Sequence, residues 1–134
     1  MVQFLTAYIV TAVVFLSIDF IWLSKIAKRF YFDRLGGLLL KKPHMGAAVA
    51  FYAIYVVGII IFAVAPALRE QSASTALIYG ALFGFFAYAT YDMTNYATLR
   101  NWSLSVSLVD IAWGTFLTGV SSSLGYLGTR GIFA

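Results

Sequence analysis

Three aspartates stand inside apolar stretches of the sequence, and their carboxyl groups are the side chains best suited here to bind a cation or carry a proton. Asp19, Asp92 and Asp110 are each flanked by hydrophobic runs, whereas the other two acids, Asp33 and Glu70, lie in polar segments. A charge at the centre of a bilayer costs about 2.5 to 3.5 kcal/mol on insertion scales. Acids in such places therefore usually face a protein interior, where they pair or act.

The three carboxyl groups are expected at one depth. Asp19 stands six residues before Lys25 and Asp92 eight before Arg100, and Asp110 lies as deep in the next apolar run. With a helical rise of ~1.5 Å per residue, each lies roughly 9 to 12 Å below the same set of loops. This coincidence predicts one shared polar pocket in one half of the membrane.

Clustered carboxyl groups with few cations disfavour one another's charged form, so at least one is expected to hold a proton near neutral pH. Such a group can carry the proton, or exchange it for a cation or an amine. Oxygen ligands could also suit Mg²⁺ or Ca²⁺, but no predicted helix carries the paired ligands of a dedicated metal enzyme, and no metal site is predicted. The predicted ligand- or proton-site residues are Asp19, Trp22, Tyr88, Tyr91, Asp92, Thr94, Asn95, Arg100, Asp110 and Trp113. Arg100 is predicted to be the counter-charge at the mouth of the pocket.

A short motif repeats around two of these acids. "DFIW" begins at Asp19 and "DIAW" begins at Asp110, with the same D-x-x-W spacing. Residues three apart share a helix face, so each Trp is predicted to cover the Asp of its own motif. The two segments would run in opposite directions, which suggests a remnant of an inverted repeat.

Three functions remain open from these residues. The leading one is binding or movement of a small cationic or polar ligand, or of a proton. A second is a membrane-embedded enzyme or accessory factor in lipid modification, in which Asp92 or Asp110 is the acid–base residue. A third is a structural or assembly subunit, in which the acids accept hydrogen bonds that fasten the helices. Such bonds contribute only about 0.6 kcal/mol each on average.

The composition requires a membrane. Of 134 residues, 62% are hydrophobic and 10% are charged, whereas soluble domains average about a quarter charged residues. A transmembrane helix needs ~20 mostly apolar residues, and four windows qualify: residues 3–24, 46–68, 74–98 and 104–127. We predict an all-α integral membrane protein, a single four-helix bundle with short loops. Pro66 is predicted to mark the end of the second helix.

The basic residues predict the orientation. Seven Lys and Arg residues fall in the first and third loops, against two in the second loop and at the C-terminus. By the positive-inside rule, both termini face the periplasm and the polar pocket opens toward the cytoplasm. The first loop mixes basic and aromatic residues, which predicts a short interfacial helix that contacts anionic lipid headgroups.

Helix periodicity predicts which faces pack. In the third span, Gly80, Gly84, Ala87, Tyr91 and Asn95 share one stripe, with Tyr88 and Asp92 toward its edge. Gly80 and Gly84 form a small-xxx-small pair that allows close approach of a second helix.

Several other chemistries are excluded or disfavoured. The chain has no cysteine, so thiolate chemistry is absent, and its only histidine, His44, stands at a loop-to-helix boundary. The positive charge is explained by topology, and no nucleic-acid partner is predicted. A four-span chain makes a thin pathway alone, so transport predicts a homodimer. The sequence identifies no cofactor and does not decide whether the chain is an enzyme.

The motifs resemble those of a known family. "YDMTN…TLRNW" and "DIAWG" are the specific segments, supported by "FLSIDFIWL", "LGGLL" and "GALFGFFAYAT". They are similar to a family of small four-helix bacterial inner-membrane proteins known only as a domain of unknown function. The resemblance extends over nearly the whole chain, with Ser103 where the family usually has proline. It implies a bacterial membrane bundle with no established activity, whose relatives are associated with genes for lipid or fatty-acid modification. The family's recurrent residues match Asp19, Trp22, Asp92, Thr94, Asn95, Arg100, Asp110 and Trp113.

Overall fold

Four long apolar helices make up most of the chain, in a computed structural model that describes residues 1–40 and 42–133. The helices that are long and apolar enough to cross a membrane are Val2–Ile26, Met45–Glu70, Ala73–Thr98 and Leu104–Phe133. The prediction of an all-α membrane bundle is therefore confirmed. Lys41, one of the basic residues counted in the first loop, lies outside the described residues.

The first two spans each contain a wide helical turn. The first span consists of α1 (Val2–Ile21) and a π-helical turn, Trp22–Ile26. The second consists of α3 (Met45–Ile59), a π-helical turn (Ile60–Val64) and α4 (Ala65–Glu70). Between them, the first loop forms a short helix, α2 (Lys28–Leu35), and one 3₁₀ turn. The last two spans are the unbroken helices α5 (Ala73–Thr98) and α6 (Leu104–Phe133).

Pro66 does not end the second span, contrary to the prediction from sequence. It lies in the first turn of α4, directly after the π-helical turn. Proline lacks an N–H group and its ring crowds the carbonyl four residues earlier. The wider turn before Pro66 relieves that crowding, so the helix continues to Glu70.

The fourth helix extends six residues past the predicted span, to Phe133. Its last turns pack against α1. Gly125 and Gly128 are the contact points, because a Cβ atom at either would overlap Thr11 or Val10 of α1. The glycines and Arg130 lower the hydropathy of this segment, but its packing on α1 keeps it helical.

The closest helix pair is α5 and α6. Gly80 and Gly84 of α5 lie directly on α6, where a Cβ atom at either position would overlap Thr118. The predicted close approach at this glycine pair is therefore present. The α6 helix is central, since it also packs on α1. Its Thr118 Oγ1 forms a hydrogen bond of 2.8 Å with the Tyr55 hydroxyl of α3.

The buried row of α5 differs from the predicted stripe. Ala76, Gly80, Gly84 and Asp92 are buried, whereas Tyr91 is 56% exposed. These buried residues follow i, i+4 spacing, and such a row winds around the helix by ~40° per step. Close packing at the glycines selects that row, and it turns Asp92 inward and Tyr91 outward.

Candidate functional site

A cavity of about 370 Å³ lies between α1, α3, α5 and α6, at the end of the bundle that carries the first and third loops. We call it the aromatic cavity. Its lining consists of Asp19, Trp22, Leu23, Phe51, Tyr52, Ala87, Tyr88, Tyr91, Asp110 and Trp113. Two of these ten are acids and six carry aromatic rings. No basic side chain is among these lining residues.

Asp19 is held at the end of α1 by donors from two other helices. The Tyr52 hydroxyl of α3 donates to Asp19 Oδ2 over 2.7 Å, and Trp113 Nε1 of α6 donates to Asp19 Oδ1 over 3.1 Å. Asp19 is 6% exposed. Its carboxyl group therefore lies inside the bundle and has two hydrogen-bond donors, as a buried acid requires.

Asp110 is reached by the short helix in the first loop. The Tyr31 hydroxyl of α2 donates to Asp110 Oδ1 over 3.0 Å and accepts a hydrogen bond from Trp22 Nε1 over 3.3 Å. Burial and the neighbouring charge of Asp110 raise the pKa of the Tyr31 hydroxyl well above its usual range. Tyr31 therefore keeps its proton and remains a donor to Asp110 at physiological pH.

The two D-x-x-W motifs are joined crosswise. The rings of Trp22 and Trp113 stack with centroids 4.2 Å apart and planes 8° apart. Trp113 bonds to Asp19 directly, and Trp22 reaches Asp110 through Tyr31. The indole N–H groups thus do not donate to the acid of their own motif. The two motifs lie on different helices that pack side by side, which brings the Trp113 N–H to Asp19 and the Trp22 N–H to the tyrosine that donates to Asp110.

The π-helical turn explains how Trp22 reaches this position. The Ala27 amide donates to the Trp22 carbonyl over 2.7 Å, a bond that spans five residues instead of four. The wider turn ends α1 and redirects the chain into α2, which carries Tyr31. Single π-turns inside helices are frequent at functional sites.

Tyr88 packs against α6 at Gly114, which has no side chain. A Cβ atom at Gly114 would overlap the ring of Tyr88. The ring therefore rests directly on the backbone of α6 and forms part of the cavity wall. Tyr91, one turn later, lies at the exposed rim.

Asp92 is completely buried and unpartnered. It is 0% exposed, and neither of its carboxyl oxygens has a hydrogen-bond partner among the described residues. Asp110 is its acidic neighbour, although the geometry gives no hydrogen bond between the two carboxyl groups. Its backbone carbonyl accepts a bond from Ser107, which in turn accepts one from Trp102. Asp92 thus lies behind the cavity wall, next to Asp110, and does not line the cavity.

The structure brings six of the ten predicted site residues into the lining: Asp19, Trp22, Tyr88, Tyr91, Asp110 and Trp113. Thr94 is exposed on α5 and donates to backbone carbonyls of its own helix. Asn95 is half-buried and Arg100 is exposed in the turn after α5, and neither lines the cavity. Arg100 therefore does not occupy the predicted place of a counter-charge at the cavity.

The sequence analysis did not predict the tyrosines that donate hydrogen bonds to the acids. Tyr52 and Tyr31 were not among the predicted site residues, although they donate to Asp19 and Asp110. The signal was present, because a tyrosine in an apolar helix needs a partner for its hydroxyl and the acids needed donors. Phe51, Leu23 and Ala87 also line the cavity, and the sequence gives no signal that separates them from ordinary apolar residues.

The aromatic cavity combines carboxyl groups with aromatic faces. Within residues 1–40 and 42–133, no three His, Asp, Glu or Cys side chains come together at metal-binding spacing. Instead, Asp19 and Asp110 face a space walled by aromatic rings. Carboxylates with aromatic faces are the usual surroundings of amine and quaternary ammonium groups.

Comparison with known proteins places the chain in one family. Residues 4–127 match the family model described as "Predicted membrane protein (DUF2177)". This match confirms the resemblance inferred from the "YDMTN" and D-x-x-W motifs. No curated protein and no solved structure matches the chain.

Proposed function

We propose that this chain, which belongs to the DUF2177 family of predicted membrane proteins, binds a small organic cation in the aromatic cavity. The observation that carries the proposal is the convergence of Asp19 and Asp110 on a space walled mainly by aromatic rings. The volume of about 370 Å³ falls in the range of small-molecule sites, ~300 to 1,000 Å³. The ligand class is an amine or a quaternary ammonium compound.

The energetic basis is electrostatic. A desolvated cation over an aromatic face gains about 2 kcal/mol or more, and Trp gives the strongest attraction. Trp22 and Trp113 stack against each other at the site, and Asp19 and Asp110 supply the opposite charge. Asp110 accepts one hydrogen bond, from Tyr31, whereas a carboxylate can accept about four. It thus keeps acceptor capacity for an ammonium group.

Cation binding is proposed to release a proton from Asp92. A buried carboxylate with no partner is costly, and Asp92 has no partner for either oxygen and an acid as its neighbour. We therefore assign it a proton in the empty state. A cation bound at Asp110 would cancel the neighbouring negative charge and favour the charged form of Asp92. Binding would then exchange a proton for the cation.

The orientation of the protein is part of the proposal. In the sequence, seven of nine basic residues fall in the predicted first and third loops, and those of the seven that the structure describes lie at the end of the bundle that holds the cavity. The positive-inside rule then places the cavity in the cytoplasmic half of a bacterial inner membrane, with both termini in the periplasm. Contact of the first loop with anionic headgroups, and a homodimer if the ligand crosses the membrane, belong to the same proposal.

A second candidate is a structural role, which the hydrogen bonds of Asp19 and Asp110 favour. These bonds connect α1, α2, α3 and α6. An acid whose only role is to join helices should have hydrogen-bond partners for its carboxyl oxygens, and Asp92 has none among the described residues. We therefore rank this role below cation binding.

The two candidates differ in a thermal unfolding experiment. The purified chain in neutral detergent is unfolded with choline or with 3,3-dimethylbutan-1-ol, which has the same shape without the charge. Cation binding predicts that choline raises the midpoint of wild type, that the alcohol does not, and that Asp110→Asn abolishes the shift. If choline leaves the wild-type midpoint unchanged while Asp110→Asn and Asp19→Asn lower it, the acids are structural.

A further inference from the structure

A second depression adjoins the aromatic cavity on the outside of the bundle. It measures about 520 Å³ and lies along α1 and the start of α3. We call it the lateral groove. Its lining consists of Leu16, Ser17, Asp19, Phe20, Leu23, Met45 and Tyr52. Three of these residues, Asp19, Leu23 and Tyr52, also line the cavity, so the two spaces meet at them.

The residues that line the lateral groove change from apolar to acidic toward the aromatic cavity. Leu16, Phe20 and Met45 are exposed on the outer surface, within helices that span the membrane. At this depth, that surface contacts the acyl chains of lipids. Asp19 is the one charged side chain among the residues that line the groove. A carboxylate thus stands at the inner end of an otherwise apolar groove.

We propose that the ligand is an amphiphile, an ammonium group that carries an alkyl chain, and that it enters from the bilayer. The ammonium group would bind at Asp19 and Asp110 in the aromatic cavity, and the alkyl chain would lie in the lateral groove. This inference rests on the proposed function and adds the second half of the ligand.

The junction between the two spaces explains how such a ligand could pass. The Tyr52 hydroxyl donates to Asp19 Oδ2 over 2.7 Å, and both residues line both spaces. A cation can compete with this neutral donor for Asp19, because it brings a full opposite charge to a carboxylate in surroundings of low dielectric constant. The ligand would then keep its charge on Asp19 as it passes from the lateral groove into the aromatic cavity.

The test measures displacement of radiolabelled choline from the full chain in dodecyl maltoside micelles, which contain no ammonium group. The displacing probes are tetramethylammonium, dodecyltrimethylammonium and the uncharged 1-dodecanol. Ser17→Trp fills the groove, since Ser17 lines the groove but not the cavity. Val13→Trp is the matched control, because Val13 is exposed one turn earlier on α1 and lines neither space. If Ser17→Trp lowers the thermal midpoint, Ser17→Leu replaces it.

In wild type and Val13→Trp, we expect dodecyltrimethylammonium to displace choline at lower concentration than tetramethylammonium. In Ser17→Trp, dodecyltrimethylammonium should need about tenfold higher concentration to displace choline, which corresponds to about 1.4 kcal/mol. Displacement by tetramethylammonium should be unchanged. The inference is overturned if Ser17→Trp and Val13→Trp give equal displacement, or if dodecanol displaces as well as the cation. In both cases choline binding, and with it the proposed function, would stand. Failure of choline to bind wild type would remove both.

Discussion

Trp113 Nε1 donates a hydrogen bond to Asp19 Oδ1 over 3.1 Å, although 94 positions of the chain separate the two residues. The bond joins the Trp of the second D-x-x-W motif to the Asp of the first. A return connection runs from Trp22 through Tyr31 to Asp110. The repeated motif is thus used crosswise, and the two stacked indoles link the helices that carry the acids.

This crosswise pairing can be measured with double-mutant cycles. Trp113→Phe keeps an aromatic ring and removes the N–H donor to Asp19. We expect a coupling free energy of about 0.5 to 2 kcal/mol between Trp113→Phe and Asp19→Asn. The coupling with Asp110→Asn should be smaller, since no direct hydrogen bond joins Trp113 to Asp110 and the connection runs through Trp22 and Tyr31. Unfolding of the four proteins in each cycle gives the values, and a larger coupling within the "DIAW" motif would contradict the structure.

Asp92→Asn should not destabilise the protein. The substitution replaces a neutral acid that has no hydrogen-bond partner with a neutral amide of nearly the same size, so the cost of burying a polar group changes little. Asp19→Asn is the comparison, because an amide nitrogen replaces one of the two oxygens that accept bonds from Tyr52 and Trp113, and the loss of that acceptor should cost about 1 to 3 kcal/mol. Thermal unfolding tests the pair.

The same Asp92 variant should bind choline without releasing a proton, which a pH indicator dye reports, and proton release equal to wild type would refute its assigned role.

Gly114→Ala should disturb the cavity wall. A Cβ atom at this position overlaps the ring of Tyr88, so either the ring or α5 must shift, at a cost of about 1 to 3 kcal/mol. Gly131→Ala is the matched control on the same helix, since a Cβ atom there meets no atom within 4 Å. We expect a lower thermal midpoint and weaker choline binding for Gly114→Ala alone. Equal behaviour of the two variants would show that Tyr88 does not depend on this contact.

The orientation can be tested cleanly because the chain has no cysteine. Gln71 in the second loop and Asn101 in the third loop are exposed in turns, so Gln71→Cys and Asn101→Cys each introduce one accessible thiol. A maleimide reagent that does not cross membranes is added to intact spheroplasts. We expect labelling at position 71, and labelling at position 101 only after lysis. The reverse pattern would invert the topology and place the cavity in the periplasmic half.

Much of the fold follows from composition and periodicity. Four apolar segments separated by basic or polar residues can fold only as helices in a bilayer, since backbone groups must find their partners within the segment. Three acids at one depth also followed from counting along those helices, and Asp19 and Asp110 do share one cavity. These properties depend on distances along a single helix, which the sequence contains.

The partners of the acids depend on the packing of different helices. The i, i+4 row through Gly80 and Gly84 set the rotation of α5, which turned Asp92 inward and left Tyr91 at the rim. The π-helical turn after Ile21 brought α2 back over the bundle, so that Tyr31 reached Asp110. Neither the rotation of α5 nor the position of α2 can be predicted from the residues on one helix face. Small side chains allow a helix to pack through several alternative rows of residues, and only the packing of the whole bundle selects one of them. The sequence by itself therefore determined the helices, their order and which of them carry the carboxyl groups. The tertiary structure decided which donor meets each acid, and which acid meets none.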